Sequence, residues 1–386
     1  MRILFLPSWR NLWLSSGVLS ISLLGDALLY VVLPVNDHLF GVSMIWVGIL
    51  LAVNRVIRTF TYGWIALLGE QIGLKNLCII SAITAILSTF GYSLFSGPIP
   101  LALARILWGL SYAGLLLVTL AYAVEDRSKA GIRIGFSRAV EQIGPLVALT
   151  FGTWLAGQVG PKNVFSYLAY ASLLCLPFAF ALKNPSRKPP SAKRKKKTNV
   201  FSQPNSFDFL IFLMGLAIDG IFTVTISLMW LNHVTPETAI ILGGLVLTGR
   251  RLMEMMTAPL AGIISDTFGV QKPLIFASIL AICGLFFVGY GWLIIGSVFI
   301  IVARGALGTL FPTAVSLLKE GSALENLARN QTWRDIGAAV GPFGTGFLLI
   351  IASPMLIHTS LSIGFALSFI WLINSSSWRE IRKNKL

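Results

Sequence analysis

The chain has 386 residues, 55% of them hydrophobic and 12% charged, with a formal net charge of +15 and a mean hydropathy of +0.80. A soluble domain averages about 25% charged residues, so this composition excludes a water-soluble globular fold and makes a nucleic-acid-binding reading of the positive charge unnecessary. The apolar residues form runs of about 20, the length that crosses a ~30 Å hydrocarbon core as a helix, and stretches such as Leu293–Gly308 lack the alternation that barrel strands require.

Twelve helical spans are predicted. Met1–Arg10 is a short basic end with no cleavable signal pattern, so the first span serves as its own insertion signal. Span 1 (11–35) carries Asp26 and Tyr30, and span 2 (43–68) carries Arg55 and Arg58. The turn ALLGEQIGLK (Ala66–Lys75) holds Glu70, Gly73 and Lys75 and leads to span 3 (77–97). Span 4 (99–124) carries Arg105, Trp108 and Tyr112; span 5 (136–157) carries Arg138, Glu141, Gly144 and Pro145; span 6 covers 163–182. The segment 183–206 is the one long polar stretch, with a basic cluster at Lys193–Lys197, and reads as a flexible linker beside anionic lipid. Span 7 (207–231) carries Asp219, Phe222 and Trp230, and span 8 (238–264) carries Arg251 and Glu254. The turn GIISDTFGVQK (Gly262–Lys272) supplies Asp266 and Gly269. Span 9 (272–293), span 10 (295–318) with Arg304, span 11 (333–352) with Arg334, Asp335, Gly341 and Pro342, and span 12 (355–377) complete the chain.

With both termini inside, the inner segments 1–10, 69–76, 125–135, 183–206, 265–271, 319–332 and 378–386 hold most of the Lys and Arg, Lys162 being the clear exception. This asymmetry is what insertion demands. Cys78, Cys175 and Cys283 lie far apart in spans, which predicts no disulfide and no zinc site. His38, His233 and His358 fall near the outer face without ligand spacing, so no metal is expected.

The two halves match in chain order. Asp26 faces Asp219 at an offset of 193, Arg55 faces Arg251 at 196, Glu70 and Gly73 face Asp266 and Gly269 at 196, Arg105 faces Arg304 at 199, and Gly144-Pro145 faces Gly341-Pro342 at 197. A duplicated six-helix unit follows, 1–182 and 207–386 joined by 183–206. The fold class expected is an all-α integral membrane protein of two pseudo-symmetric six-helix bundles. Parallel six-span halves are a transporter architecture with its site at the midplane.

On these residues the chain resembles the major facilitator superfamily over essentially its whole length. Gly262, Asp266, Gly269 and Lys272 match the family's loop signature, and Glu70, Gly73 and Lys75 match it in the first half, where Ala66 replaces the leading glycine. Arg105 with Gly109 matches the arginine of span 4. More narrowly, LGDALLYVVLP (Leu24–Pro34) and the Gly131, Gly144-Pro145 and Gly337, Gly341-Pro342, Gly346 patterns are similar to those of twelve-span drug–proton antiporters, with Val31, Ala148 and Leu149 departing from the pattern. The resemblance implies that the two loops are conformational latches, their acids accepting bonds from a neighbouring helix N-terminus or arginine.

An ionisable group at membrane depth is costly and is by default a functional hypothesis. Asp26 is the expected protonatable group and Arg105 its modulator; the alternative is a static ion pair between helices. Asp219 and Arg304 are their symmetry mates, and Tyr30, Trp108, Tyr112, Phe222 and Trp230 are candidate pocket aromatics. Arg138, Glu141, Arg334, Asp335, Arg55, Arg58, Arg251 and Glu254 are expected in gating ion pairs near the cytoplasmic ends. The function expected is proton-coupled export of a small amphipathic compound, drug-like or siderophore, by a monomer in a bacterial inner membrane; a nutrient importer and a lysophospholipid flippase are the alternatives. The chain carries no nucleotide loop, Ser-His-Asp set or metal cluster, so neither an enzyme nor a cofactor is expected.

Overall fold

In a computed structural model, residues 9–184, 203–230, 233–318 and 322–383 are described. The basic cluster Lys193–Lys197 and the start of the chain to Ser8 lie outside them.

Among the described residues the chain folds as twelve helical spans, several of them interrupted. Four are uninterrupted in the first half, Arg10–Val35, Met44–Ile72, Leu74–Leu94 and Pro98–Ala123. Span 5 runs through Ala130–Glu141, Ile143–Val147, a π-helical turn at Ala148–Gly152 and Thr153–Val159, and span 6 through Val164–Ser172 and Cys175–Phe180. Span 7 is Ser206–Met214, a π-helical stretch Gly215–Phe222 and Thr223–Trp230. Spans 8 to 12 are Pro236–Phe268, Gln271–Gly289, Leu293–Ser316, Ala323–Ile351 and Pro354–Asn374, followed by a short amphipathic helix Ser376–Lys383. Among the described residues, eight of these are long and apolar enough to cross a membrane. Spans 5, 8 and 11, which are not among the eight, carry ionisable residues at depth, and span 6 is broken at Leu173–Leu174.

Helix ends differ from the apolar stretches where capping carries the helix past them. Span 11 begins at Ala323 rather than at residue 333, because Ser322 and Glu325 form a capping box: the Glu325 amide donates to Ser322 Oγ at 3.1 Å and the Ser322 amide to Glu325 Oε2 at 3.0 Å. Span 5 begins at Ala130, six residues before the expected 136. Arg334 and Asp335 therefore lie about three turns into Ala323–Ile351, and Arg138 and Glu141 in the last turn of Ala130–Glu141. Span 8 continues to Phe268, so its last turn from Ser265 projects beyond the apolar stretch.

The chain divides into two compact units. The first is the described chain up to Glu125 together with Val140 onward through span 6; the second is Asp126–Ala139 together with spans 7 to 12. The first turns of span 5 thus pack with the second unit, although in sequence they belong to the first half. In the first unit span 1 is the central helix and packs on spans 3, 4, 5 and 6. In the second, span 7 packs on span 11 and span 12, and span 10 packs on spans 8 and 9.

Small residues set the closest approaches, as lipid gives helices no hydrophobic reason to associate. A Cβ on Gly144 would lie 1.8 Å from the Ser20 carbonyl, and its amide donates to Ser20 Oγ at 2.8 Å. In the second unit Gly220 and Gly341 face each other so closely that a Cβ on either would fall 2.6–2.7 Å from the other's Cα.

Candidate functional site

In the first unit Arg105 lies about two turns into span 4. Its guanidinium pairs with the carboxylate of Asp26 on span 1. It also donates to Tyr92 Oη at 3.3 Å, to Tyr30 Oη at 3.4 Å and, through Nε, to the Leu50 carbonyl at 2.8 Å. One arginine thereby ties four helices. Its side chain is 1% exposed, whereas that of Asp26 is 14% exposed. A second set lies alongside: the Arg58 guanidinium sits 4.4 Å over the Tyr112 ring, and Tyr112 donates to Glu141 Oε1 at 3.2 Å. The Trp108 ring lies 6.0 Å from that of Tyr112, and its buried indole N–H makes no hydrogen bond.

In the second unit Asp219 sits in the π-helical stretch of span 7. A π turn re-aims side chains within a helix and recurs at functional sites. Asp219 Oδ1 accepts from Arg304 Nε at 2.6 Å and from the Arg250 guanidinium at 2.8 Å. Arg334 Nε lies 3.7 Å from Asp219 Oδ2, and its terminal nitrogen 3.6 Å from Asp335. Glu254 stands 3.5 Å from Arg250 and 3.6 Å from Arg304. Carboxylate and guanidinium groups at this depth persist only in mutual pairing.

Asp266, past the apolar end of span 8, accepts from the Gly131 amide at 2.9 Å and the Ile132 amide at 2.8 Å, in the first turn of span 5. A carboxylate there satisfies two orphan donors and complements the helix dipole. Burial of this carboxyl against span 5 raises its pKa above the ordinary aspartate value, although the two backbone donors pull it down. The approach needs glycine on both sides: a Cβ on Gly262 would fall 2.2 Å from the Gly131 carbonyl oxygen. Gly269 and its mate Gly73 both end their helices at left-handed φ, +83° and +86°. In the first half Glu70 is exposed, and the Lys75 amide donates to Asn184 Oδ1 at 3.1 Å.

Residues 16–236 match the model of the Major Facilitator Superfamily. The chain belongs to the major facilitator superfamily. Three solved structures share the superfamily fold. The human organic anion transporter MFSD10 (TETRAN) is 15% identical with a TM-score of 0.73, over 95% of this chain and 100% of that one. The proton:xylose symporter XylE, bound to 6-bromo-6-deoxy-D-glucose, is 12% identical with a TM-score of 0.74, over 97% and 96%. The E. coli fucose:proton symporter FucP is 11% identical with a TM-score of 0.76, over 97% and 98%. No protein of curated function matches the chain by sequence. As a member of the major facilitator superfamily the chain is a multi-pass membrane transporter.

The superfamily fold brings together Asp26, Arg105 and Tyr30, and likewise Asp219, Arg304 and Arg334. It does not leave every expected pocket residue open: Phe222 is fully buried, and Trp108 is 1% exposed. Pro145 is buried and Pro342 exposed. His358, in the first turns of span 12, is buried, with Nε2 2.8 Å from Thr225 Oγ1. Two participants were missed. Arg250, not Arg251, reaches Asp219, and the one available signal was its position four residues before Glu254 on a helix face. Tyr92 had no sequence signal, being one more aromatic in an apolar span.

Proposed function

We propose that this transporter couples movement of a small amphipathic organic compound to protons, in the direction of export. The observation that carries the reading is the Asp26–Arg105 pair, in which the carboxylate is the more open partner. A proton reaching Asp26 cancels one charge of the pair and leaves Arg105 to its tyrosine and carbonyl partners, which changes the link between spans 1 and 4. Tyr30 and Tyr112 give the interior an amphipathic lining. Export rests on the first-span and glycine–proline patterns of drug–proton antiporters; the symport named for XylE and FucP favours import as the second reading. Lysophospholipid flipping is the third, on the ground of the apolar interior.

The remaining assignments belong to the same reading. The bundles 1–182 and 207–386, joined by 183–206, alternate access around the midplane. Asp266 and Glu70 act as latches on the cytoplasmic side, and Arg55, Arg251, Arg138, Glu141 and Arg334 join the gating pairs. The chain works as a monomer in a bacterial inner membrane with both termini inside, as the distribution of Lys and Arg supports.

The test uses inside-out vesicles holding a proton gradient read by a quenched pH dye. Collapse on adding one class of compound, lost in Asp26→Asn, supports antiport at Asp26. Transport that persists in Asp26→Asn assigns the pair a structural role.

A further inference from the structure

Spans 8 and 10 touch where a Cβ on Gly305 would fall 1.9 Å from Thr257 Oγ1. N-terminal to that contact a cavity of about 350 Å³ opens between them. It follows span 8 from Leu242 to Met253 and span 10 from Ile294 to Ile301, and Trp230, the last residue of span 7, borders it. Gly249 leaves room, since nothing lies within 4 Å of a Cβ built on it.

In the first half a tyrosine and an arginine tie the matching helices. Tyr30 Oη donates to the Leu51 carbonyl at 3.0 Å and Arg105 Nε to the Leu50 carbonyl at 2.8 Å. At the repeat offset of 193 Tyr30 becomes Thr223, whose hydroxyl turns back to its own helix, to the Asp219 and Gly220 carbonyls. Arg304, the mate of Arg105, turns to Asp219 and Glu254. At the offset of 196 Leu50 becomes Val246, which lines the cavity.

The cavity opens on a face that meets hydrocarbon. The first turns of span 5 pack on span 8 at Ala258 and Gly262: a Cβ on Gly135 would lie 2.3 Å from the Ala258 carbonyl oxygen. Met253 and Gly249 stand about 140° around the helix from Ala258 and Gly262. They border an exposed apolar stripe, Leu245, Leu252, Met256 and Leu260, and Val298 is exposed on span 10. The length of the cavity matches one leaflet. Leu242 to Met253 is a rise of about 16 Å, and half of a ~30 Å hydrocarbon core is about 15 Å. Trp230 and Ile294 stand at the ends of their helices, at headgroup level. Two donors border this shallow end, Trp230 Nε1 and the buried Ser297 Oγ, and neither makes a hydrogen bond.

We propose that the cavity seats one acyl chain of a glycerophospholipid, drawn from the leaflet at the Trp230 end. The chain lies along spans 8 and 10 and brings its ester carbonyl to the depth of the Trp230 and Ser297 donors. A tail gains nothing hydrophobic by leaving the bilayer; the gain is the packing of a slot that the helices leave unfilled. The lipid thereby closes in the second half what side chains close in the first.

The full chain is reconstituted in vesicles of phosphatidylcholine doped with a phosphatidylcholine that carries a diazirine at mid-chain. After photolysis the adducts are mapped by peptide mass spectrometry. They are expected on Val246 and Ile301 in preference to Ile363, which is exposed about as deep in span 12. Gly249→Phe, whose ring enters the cavity, is expected to lose the preference, and Gly249→Ala to keep it. If Gly249→Phe does not fold, the comparison of Ile301 with Ile363 in the natural chain still decides. Adducts spread evenly over these positions, or a preference that survives in a folded Gly249→Phe, overturn the proposal. Stronger labelling of the cavity by a diazirine-bearing alkane without a headgroup assigns it to a compact apolar molecule and also overturns it.

Discussion

Arg105 and Asp26 are ion-paired across spans 4 and 1, and the arginine is the covered member, 1% exposed against 14%. The geometry gives the pair two separable properties. Removing the acid strands a buried cation, and breaking a buried pair costs about 3–5 kcal/mol. Asp26→Asn is therefore expected to lower the thermal midpoint in detergent as well as to abolish proton-driven transport. Pairing it with Arg105→Met is expected to recover much of the stability and none of the transport. Recovery of transport in the double variant would show that Asp26 is not the coupling group.

Glycine contacts between spans 7 and 11 supply a comparison with an internal control. Gly341→Ala places a Cβ 2.6 Å from Gly220 Cα, with backbone on both sides, and is expected to destabilise by about 1–3 kcal/mol. Gly344, one turn on in the same helix, has nothing within 4 Å of its Cβ position. Gly344→Ala is expected to be neutral or to stabilise by about 0.5–1 kcal/mol through lost backbone freedom in the unfolded chain. Thermal denaturation of the two variants side by side tests this; equal midpoints would argue against the close approach.

The Asp266 contact to span 5 is open to a labelling test. Asp266→Asn keeps the shape of the side chain and removes the charge, and loss of a charge-assisted bond costs about 1.5–3 kcal/mol. A cysteine placed at the buried Ser265 is expected to react with a maleimide roughly tenfold faster in that background.

Tyr112 serves two partners, and graded substitution separates them. Tyr112→Phe removes the 3.2 Å bond to Glu141 and keeps a ring under Arg58, so a cost near 1 kcal/mol is expected. Tyr112→Leu removes both and is expected to cost about 1–2 kcal/mol more. Equal midpoints for the two variants would mean that the ring contributes nothing to holding Arg58.

The helical membrane fold, the superfamily and the two turns at Gly73 and Gly269 were legible in the sequence. These are one-dimensional properties: hydrocarbon thickness fixes span length, insertion sorts charge by loop, and a left-handed turn needs glycine wherever it falls. The pairing of Asp26 with Arg105 was within reach because equal depth in adjacent helices can be counted along a chain. Tertiary structure alone decided which arginine reaches Asp219. Arg250 and Arg251 are neighbours in sequence and lie about 100° apart around the helix, and only the packing of span 8 against spans 7 and 10 sets which of them points inward. The same packing decided that Arg105 is covered and Asp26 open, and that Asp219 is covered and Arg250 open. Burial is a property of neighbours, and a duplicated sequence does not place them identically.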